Sequence, residues 1–395
     1  MAFLRDDLAQ LTAYQSPHVM DDSDIQPVPD KPVLDKPVLD PLDTNESPID
    51  LPEAIKASLA TQYQGVIAAN RYPDGDQLGL KRSVMDYAIG SAQISANRIS
   101  CQNITLGNGS DELIRSVIMA TCLGNHGSIL VASPTFSMYG ILAKTLGVNV
   151  HDAGRQANFE VDTDTAQAAI ASARAEGPPV KAIFMVHPNS PTANALTQRE
   201  LSWLRQIPED ILVIVDEAYF EFSGHTTLAD ALSRPNWLVT RTFSKAFRLA
   251  AHRVGYGIGH PDVIAALEKL RLPYNLPSFS QAAAQAALAH SPLLLTQIPS
   301  LLAERDRLLQ ALGDHPGLRV WPSDSNFIYV RLSNRGIDIL AAHSQQDALN
   351  QMFERLKSKG TLIRHTGGGL RISIGTTNEN QRTLTNIQQI LETKP

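Results

Sequence analysis

Short apolar runs recur along the first two thirds of the chain: ITLGNG (104–109), SILVASP (128–134), KAIFMVHP (181–188), ILVIVDE (211–217) and WLVTRTFS (237–244). Helical patterning fills the gaps between them, at 76–90, from Ser110 to about Leu123, and through MYGILAKTLG. Strands that are apolar on both faces and separated by helices need cover on both sides, which predicts an α/β fold built on a parallel sheet. Side chains that do chemistry then belong at the carboxyl ends of the strands, where the loops converge.

The texture changes after Pro273 and Pro277. A long helical region at 280–313 leads into NFIYVRL (326–332), a helix at 346–359, TLIRH (361–365) and GGGLRISIG, which together read as an α+β unit. The expected organisation is therefore a large domain over 46–275 and a small C-terminal domain over 276–395, with a ligand cleft between them. Ahead of both, residues 1–45 are rich in proline and contain the tandem repeat KPVLDKPVLD at 31–40. Proline at this density removes amide donors and fixes φ, so the segment is expected to be an extended arm or lid.

Composition excludes several classes. Lys plus Arg number 34 against 40 Asp plus Glu, a formal charge of −6, whereas proteins that neutralise nucleic-acid phosphates are usually basic. The two cysteines, Cys101 and Cys122, form neither a disulfide framework nor a metal-ligand spacing. No apolar run approaches the roughly 18–20 residues of a membrane span, and the N-terminus has no signal-peptide core. A soluble cytoplasmic enzyme without a metal, a nucleic-acid partner or a membrane is the expectation.

Three pieces carry chemistry. In ILVIVDEAYF, Asp216 arrives at the end of an apolar strand, where a carboxylate is costly unless it meets a cation; helix N-capping is its plainer role. Tyr219, three residues on, can face the same cavity. In WLVTRTFSKAFRLAAHR, Lys245 follows a second strand end, beside Ser244 and eight residues before Arg253. A lysine there is commonly a solvated surface group, but between apolar segments it loses its charge more readily and becomes a nucleophile toward an aldehyde. In GNGSDELIR, glycines make a turn and Ser110 or Asp111 is expected to cap a helix whose first amides offer an anion site. A phosphate on that helix, an aldehyde on Lys245 and a ring nitrogen against Asp216 describe pyridoxal 5′-phosphate. Phe136, in SPTFSMY, is placed to stack on the ring, with core packing as its alternative.

With these residues the sequence resembles the fold type I aminotransferases and, within them, the histidinol-phosphate aminotransferase family. The resemblance runs through LTAYQSP, LDTNESP, NRYPDG, GNGSDE, SPTFSMY, HPNSPTA, VDEAYFEF, RTFSKAF with Arg253, SNFIYV, and IRH followed by GGGLRISIGT. It implies a large domain with a mostly parallel mixed sheet between helices. It also implies that Lys245 is the Schiff-base lysine, that Asp216 pairs with the pyridinium and that Tyr219 binds the ring hydroxyl. Gly109, Ser110, Asp111, Ser244 and Arg253 become the phosphate cup. Tyr72 becomes the residue that reaches the cofactor phosphate of the neighbouring subunit in a homodimer. Tyr14, Asn45, Arg364 and Arg371 become substrate ligands, with Arg371 on the carboxylate and His18 a candidate for phosphate recognition.

The chain departs from the family where Asn-Pro-Thr-Gly is usual and Ser190-Pro191-Thr192-Ala193 stands here. Either Asn189 reaches the ring from a shifted loop or Ser190 makes a weaker contact; Asn189 is the preferred reading. The implied reaction is transfer of an amino group from histidinol phosphate to 2-oxoglutarate. An aromatic amino-acid transaminase and a threonine-phosphate decarboxylase are the alternatives on the same scaffold.

Overall fold

The computed structural model describes residue 5 and residues 39–392. Tyr14, His18 and all but the last two residues of the KPVLD repeat lie outside the described residues. Seven strands form the large sheet: β1 (Ile104–Asn108), β2 (Ser128–Val131), β3 (Val150–Asp152), β4 (Val180–Val186), β5 (Leu212–Asp216), β6 (Trp237–Thr242) and β7 (Val254–Gly259). Their order is β1-β7-β6-β5-β4-β2-β3. β2 to β6 run parallel, whereas β7 is antiparallel to both β1 and β6.

The double-sided apolar pattern is used as a parallel sheet requires. Ile183 and Met185, Val213 and Val215, and Trp237 and Val239 face one apolar layer. The residues between them, Ala182, Phe184 and Val186, Ile214, and Leu238, face the other. Each such side chain, fully removed from water, contributes about 1.5–3 kcal/mol. The helix Gly109–Cys122 covers the second layer with Ile114, Val117 and Ile118, the spacing of one helical face.

A second sheet of four strands, β8 (Leu318–Val320), β9 (Phe327–Leu332), β10 (Arg364–Thr366) and β11 (Gly369–Ser373), has the order β10-β11-β9-β8 and is antiparallel throughout. Its apolar face carries Ile328, Val330, Leu370 and Ile372 into a third core with the helices Gln345–Ser358 and Thr377–Glu392. The helical region expected at 280–313 is broken into separate helices. Ser278–Ala289 and Ser291–Gly313 are bent by 77° relative to one another. Pro292 and Pro299 each stand in the first turn of a new helical segment, where the missing N–H is harmless but the preceding helix cannot continue. Among the described residues no single helix is long and apolar enough to cross a membrane.

A strap ties the two sheets together. Asp40 and Pro41 pair in parallel with Thr361 and Leu362, and the Asp40 carboxylate is held by Arg382. Leu42 then buries in the third core and its carbonyl accepts the Ser373 amide, so the next residues are fed toward the carboxyl ends of β4, β5 and β6.

The antiparallel β7 has a specific steric duty. A Cβ on Gly255 would lie 2.5 Å from the Ser110 nitrogen and 2.7 Å from the Gly109 carbonyl carbon. Only glycine lets the start of the Gly109 helix rest on this strand. Gly255→Ala is expected to cost about 1–3 kcal/mol through overpacking against backbone. A lowered urea midpoint checks this, and an unchanged midpoint contradicts it.

Candidate active site

Asp216 ends β5 in register with Val186 of β4 and Thr240 of β6, among the loops at the carboxyl end of the sheet. It is buried. Its Oδ2 accepts a hydrogen bond from the Tyr139 hydroxyl at 2.9 Å, while Oδ1 makes no hydrogen bond of normal geometry. Burial pushes its pKa up to about 6, with the Tyr139 hydrogen bond opposing the rise. The neighbouring acid is treated quite differently. Glu217 is also buried, yet it accepts from Arg241 at 2.8 Å and from the backbone and hydroxyl of Thr227. Of two adjacent buried carboxylates, only Asp216 lacks a counter-charge. It does not cap a helix, so the plainer of its two roles is not the one adopted.

Tyr139 was not singled out in the sequence. It lies in the helix Met138–Thr145, fully buried, and stacks on Phe184 with ring centroids 4.8 Å apart. Its only signal in the sequence is a hydroxyl-bearing ring on an apolar helix face. Phe136 sits edge-on to it at 5.5 Å and remains half-buried, at the border of the same pocket.

Lys245 follows β6, and its Nζ donates to the Thr44 carbonyl at 2.6 Å. Burial lowers its pKa to about 8, and the positive charges of Arg371 and Arg253 push in the same direction. Tyr219 accepts a hydrogen bond from the Asn45 amide at 2.9 Å. Asn45 itself is pinned by Ser373, which receives its backbone N–H and donates back to its Oδ1. Arg371, on β11, donates to the Asp43 carbonyl and, at 3.1 Å, to the Ser190 hydroxyl. Arg364 stands directly opposite Arg371 in the β10–β11 register. The strap 43–45 thus brings Lys245, Tyr219 and Arg371 to one place. Two of its contacts are backbone carbonyls, which a sequence does not display.

At the other end of the pocket, the Gly109 helix begins without a side-chain cap. Ser110 and Asp111 lie within its first turn and do not cap it, because the helix starts one residue earlier than expected. The Arg253 guanidinium spans this end, donating to Ser244 Oγ at 3.1 Å and to Asp111 Oδ2 at 3.1 Å. A Cβ on Gly109 would lie 2.6 Å from Arg253 Nη2, so the glycine keeps the guanidinium close to the first free amides. Tyr72 does not join this cluster in its own chain. It is 81% exposed and stacked on Tyr274, with centroids 4.6 Å apart.

The structure separates Asn189 from Ser190. The Asn189 amide is buried and engaged on both sides: Nδ2 donates to Thr192 Oγ1 and the Pro134 carbonyl, and Oδ1 accepts from Arg155 and Thr135. It has no capacity left for a ligand. Ser190 Oγ instead lies between Arg371 and Tyr219, whose acidity it influences. The shifted-loop preference for Asn189 is corrected on this ground.

Three groups thus stand at this rim of the sheet: an uncapped helix start with a guanidinium, a lysine of lowered basicity and a buried carboxylate with no bonded cation. They suit an anion, a carbonyl carbon and a cationic ring nitrogen in turn, and pyridoxal 5′-phosphate carries all three.

Comparison with known proteins agrees. The sequence model of the class I and II aminotransferases matches residues 40–387. A histidinol-phosphate aminotransferase of Trichodesmium erythraeum is 55% identical over 390 residues, covering 98% of this chain and 99% of that protein. Histidinol-phosphate aminotransferase 2 of a Nostoc species is 52% identical, covering 99% of this chain and 98% of its own length. The crystal structure of the Sinorhizobium meliloti histidinol-phosphate aminotransferase in complex with pyridoxal-5′-phosphate shares the fold at a TM-score of 0.74 and 21% identity, over 90% of this chain and 91% of the other. By matched length, by identity to its relatives and by the sheet that carries its site, this chain belongs to the class I and II aminotransferases.

Proposed function

We propose that the protein transfers the amino group of L-histidinol phosphate to 2-oxoglutarate, giving imidazole acetol phosphate and L-glutamate in histidine biosynthesis, with pyridoxal 5′-phosphate as cofactor. The observation that carries the cofactor assignment is the buried Asp216 carboxylate at the end of β5, which accepts from Tyr139 and has no cationic side chain bonded to it among the described residues, on the same sheet rim as Lys245. The substrate assignment is supported by relatives above 50% identity that carry this activity over nearly their whole length.

When bound, the cofactor supplies an aldehyde that takes up the amino group and a ring that withdraws electrons from the reacting carbon. Asp216 pairs with the ring nitrogen and keeps it cationic. Tyr219 and Ser190 would hold the ring hydroxyl, and Phe136 would pack against the ring. The first amides of the Gly109 helix, with Ser110, Asp111, Ser244 and Arg253, hold the phosphate. Lys245 would hold the aldehyde carbon through Nζ and, as a free amine, would serve as the base toward the amine-bearing carbon of the donor; in this structure its Nζ donates to the Thr44 carbonyl. Arg371 and Arg364, opposite one another on adjacent strands, bind the anionic ends of the two substrates, where a planar two-point donor suits both carboxylate and phosphate. Asn45 positions Tyr219.

The protein acts as a homodimer in this reading. Tyr72 is exposed and stacked on exposed Tyr274, a surface that in this reading a second copy covers while Tyr72 reaches the partner's cofactor phosphate.

A lysine pKa lowered to about 8 sets a pH dependence. The neutral amine is the nucleophile, so capture of pyridoxal 5′-phosphate by the cofactor-free protein should accelerate as pH rises through about 8 and level off above it. Stopped-flow absorbance measures this; a rate still climbing toward the ordinary lysine range contradicts the lowered value. For the substrate, the yellow holoenzyme is expected to bleach on addition of histidinol phosphate and recover with 2-oxoglutarate. Bleaching as fast with phenylalanine favours the aromatic transaminase instead, and release of carbon dioxide from threonine phosphate favours the decarboxylase.

A further inference from the structure

The loop that carries Tyr72 is wired to the phosphate end of its own subunit's pocket, and one side chain makes the connection. Tyr72 stacks on Tyr274, with the ring planes 12° apart. Asn275, the next residue, is the hub. Its Oδ1 accepts from Gln77 Nε2 at 2.8 Å and from Arg271 Nη1 at 3.0 Å, and Arg271 in turn donates to the Gly75 carbonyl at 3.0 Å. Both contacts hold the 70–77 loop. The opposite end of the same amide, Nδ2, donates to the Leu106 carbonyl at 3.1 Å and to Glu112 Oε2 at 2.8 Å. Glu112 lies in the first turn of the Gly109 helix and also accepts the Asn108 amide, the residue at which that helix begins. Each end of Asn275 is thus saturated by a different functional element.

We infer that Asn275 is a positioning residue that couples the phosphate cup of one subunit to the tyrosine serving the other, so that the two cofactor sites of the dimer fill cooperatively. The inference rests on the proposed reading of the Gly109 helix and of Tyr72. Phosphate binding fixes the first turn of the helix, and with it Glu112 and the Asn275 amide. The fixed amide holds Gln77 and Arg271, which order the loop and its tyrosine for the partner's site. By reciprocity of binding free energies, an ordered Tyr72 loop tightens its own subunit's cup to the same extent.

The test titrates the cofactor-free dimer with pyridoxal 5′-phosphate and follows absorbance. Wild type is expected to bind with a Hill coefficient clearly above about 1, up to the two-site ceiling of about 2. Asn275→Asp keeps the acceptor for Gln77 and Arg271 but loses both donors to the cup. It should bind roughly tenfold more weakly, with a Hill coefficient of about 1. Asn275→Ala, which breaks both sides, should behave likewise. If it fails to fold, the Asp variant with its loop contacts intact still decides the matter. A variant that keeps the wild-type Hill coefficient, or a wild type that binds without cooperativity, overturns the inference. Mixed dimers of Lys245→Ala and Tyr72→Ala subunits separate this from the underlying reading. They contain one complete site, and recover activity, only if Tyr72 serves the partner. No recovery overturns the Tyr72 assignment and the inference with it. Recovery alongside unchanged cooperativity in the Asn275 variants overturns the inference alone.

Discussion

A carboxylate buried at the end of an apolar strand is tolerated only if something neutralises it, and the site is organised around that requirement at Asp216. The sheet sets the problem: β5 delivers two consecutive acids, Asp216 and Glu217, into an interior where each ion costs several kcal/mol to desolvate. Glu217 is answered within the protein by Arg241, which also lies 3.6 Å over the Phe220 ring. Asp216 is answered by neutral donors and no cation, chief among them the Tyr139 hydroxyl. The difference leaves one negative charge facing the pocket, which a pyridinium neutralises and a neutral ring does not.

The remainder of the fold brings complementary groups to that charge. Parallel β4, β5 and β6 end side by side, so the loops carrying Ser190, Tyr219 and Lys245 open at one rim. The antiparallel β7, bare of side chain at Gly255, lets the start of the Gly109 helix rest on it, with the Gly109 amide donating to the Arg253 carbonyl. The strap at 43–45 then crosses from the small sheet and bonds to Arg371, Lys245 and Tyr219 in succession. A lysine surrounded by Arg371 and Arg253 and shielded from water gives up its proton near pH 8, which prepares it for carbonyl chemistry.

Much of this was legible in the sequence. Apolar runs with a polar residue at the carboxyl end fixed where Asp216 and Lys245 stand, because burial on both faces leaves the strand ends as the only place for them. The seven-residue spacing of Arg364 and Arg371 across three glycines is the spacing of a hairpin, and the strands pair as such. What escaped were contacts whose partner is a backbone atom or a side chain from a distant element. Thr44 acts through its carbonyl, and Tyr139 reaches Asp216 across 77 positions. Asn189 misled because identity alone does not reveal that Arg155, Thr135, Thr192 and Pro134 already consume its amide. The helix break near 290 was written in Pro292 and Pro299, but the apolar periodicity on either side concealed it.

The central claim is that Asp216 keeps the cofactor's ring nitrogen protonated, and the most direct test reads that proton. With pyridoxal 5′-phosphate labelled with nitrogen-15 at the ring, the wild-type holoenzyme at neutral pH is expected to show the chemical shift of a protonated pyridine. Asp216→Asn, which keeps the shape and removes the charge, should show the neutral one. A neutral ring nitrogen in the wild type, or a protonated one in the Asn variant, contradicts the account.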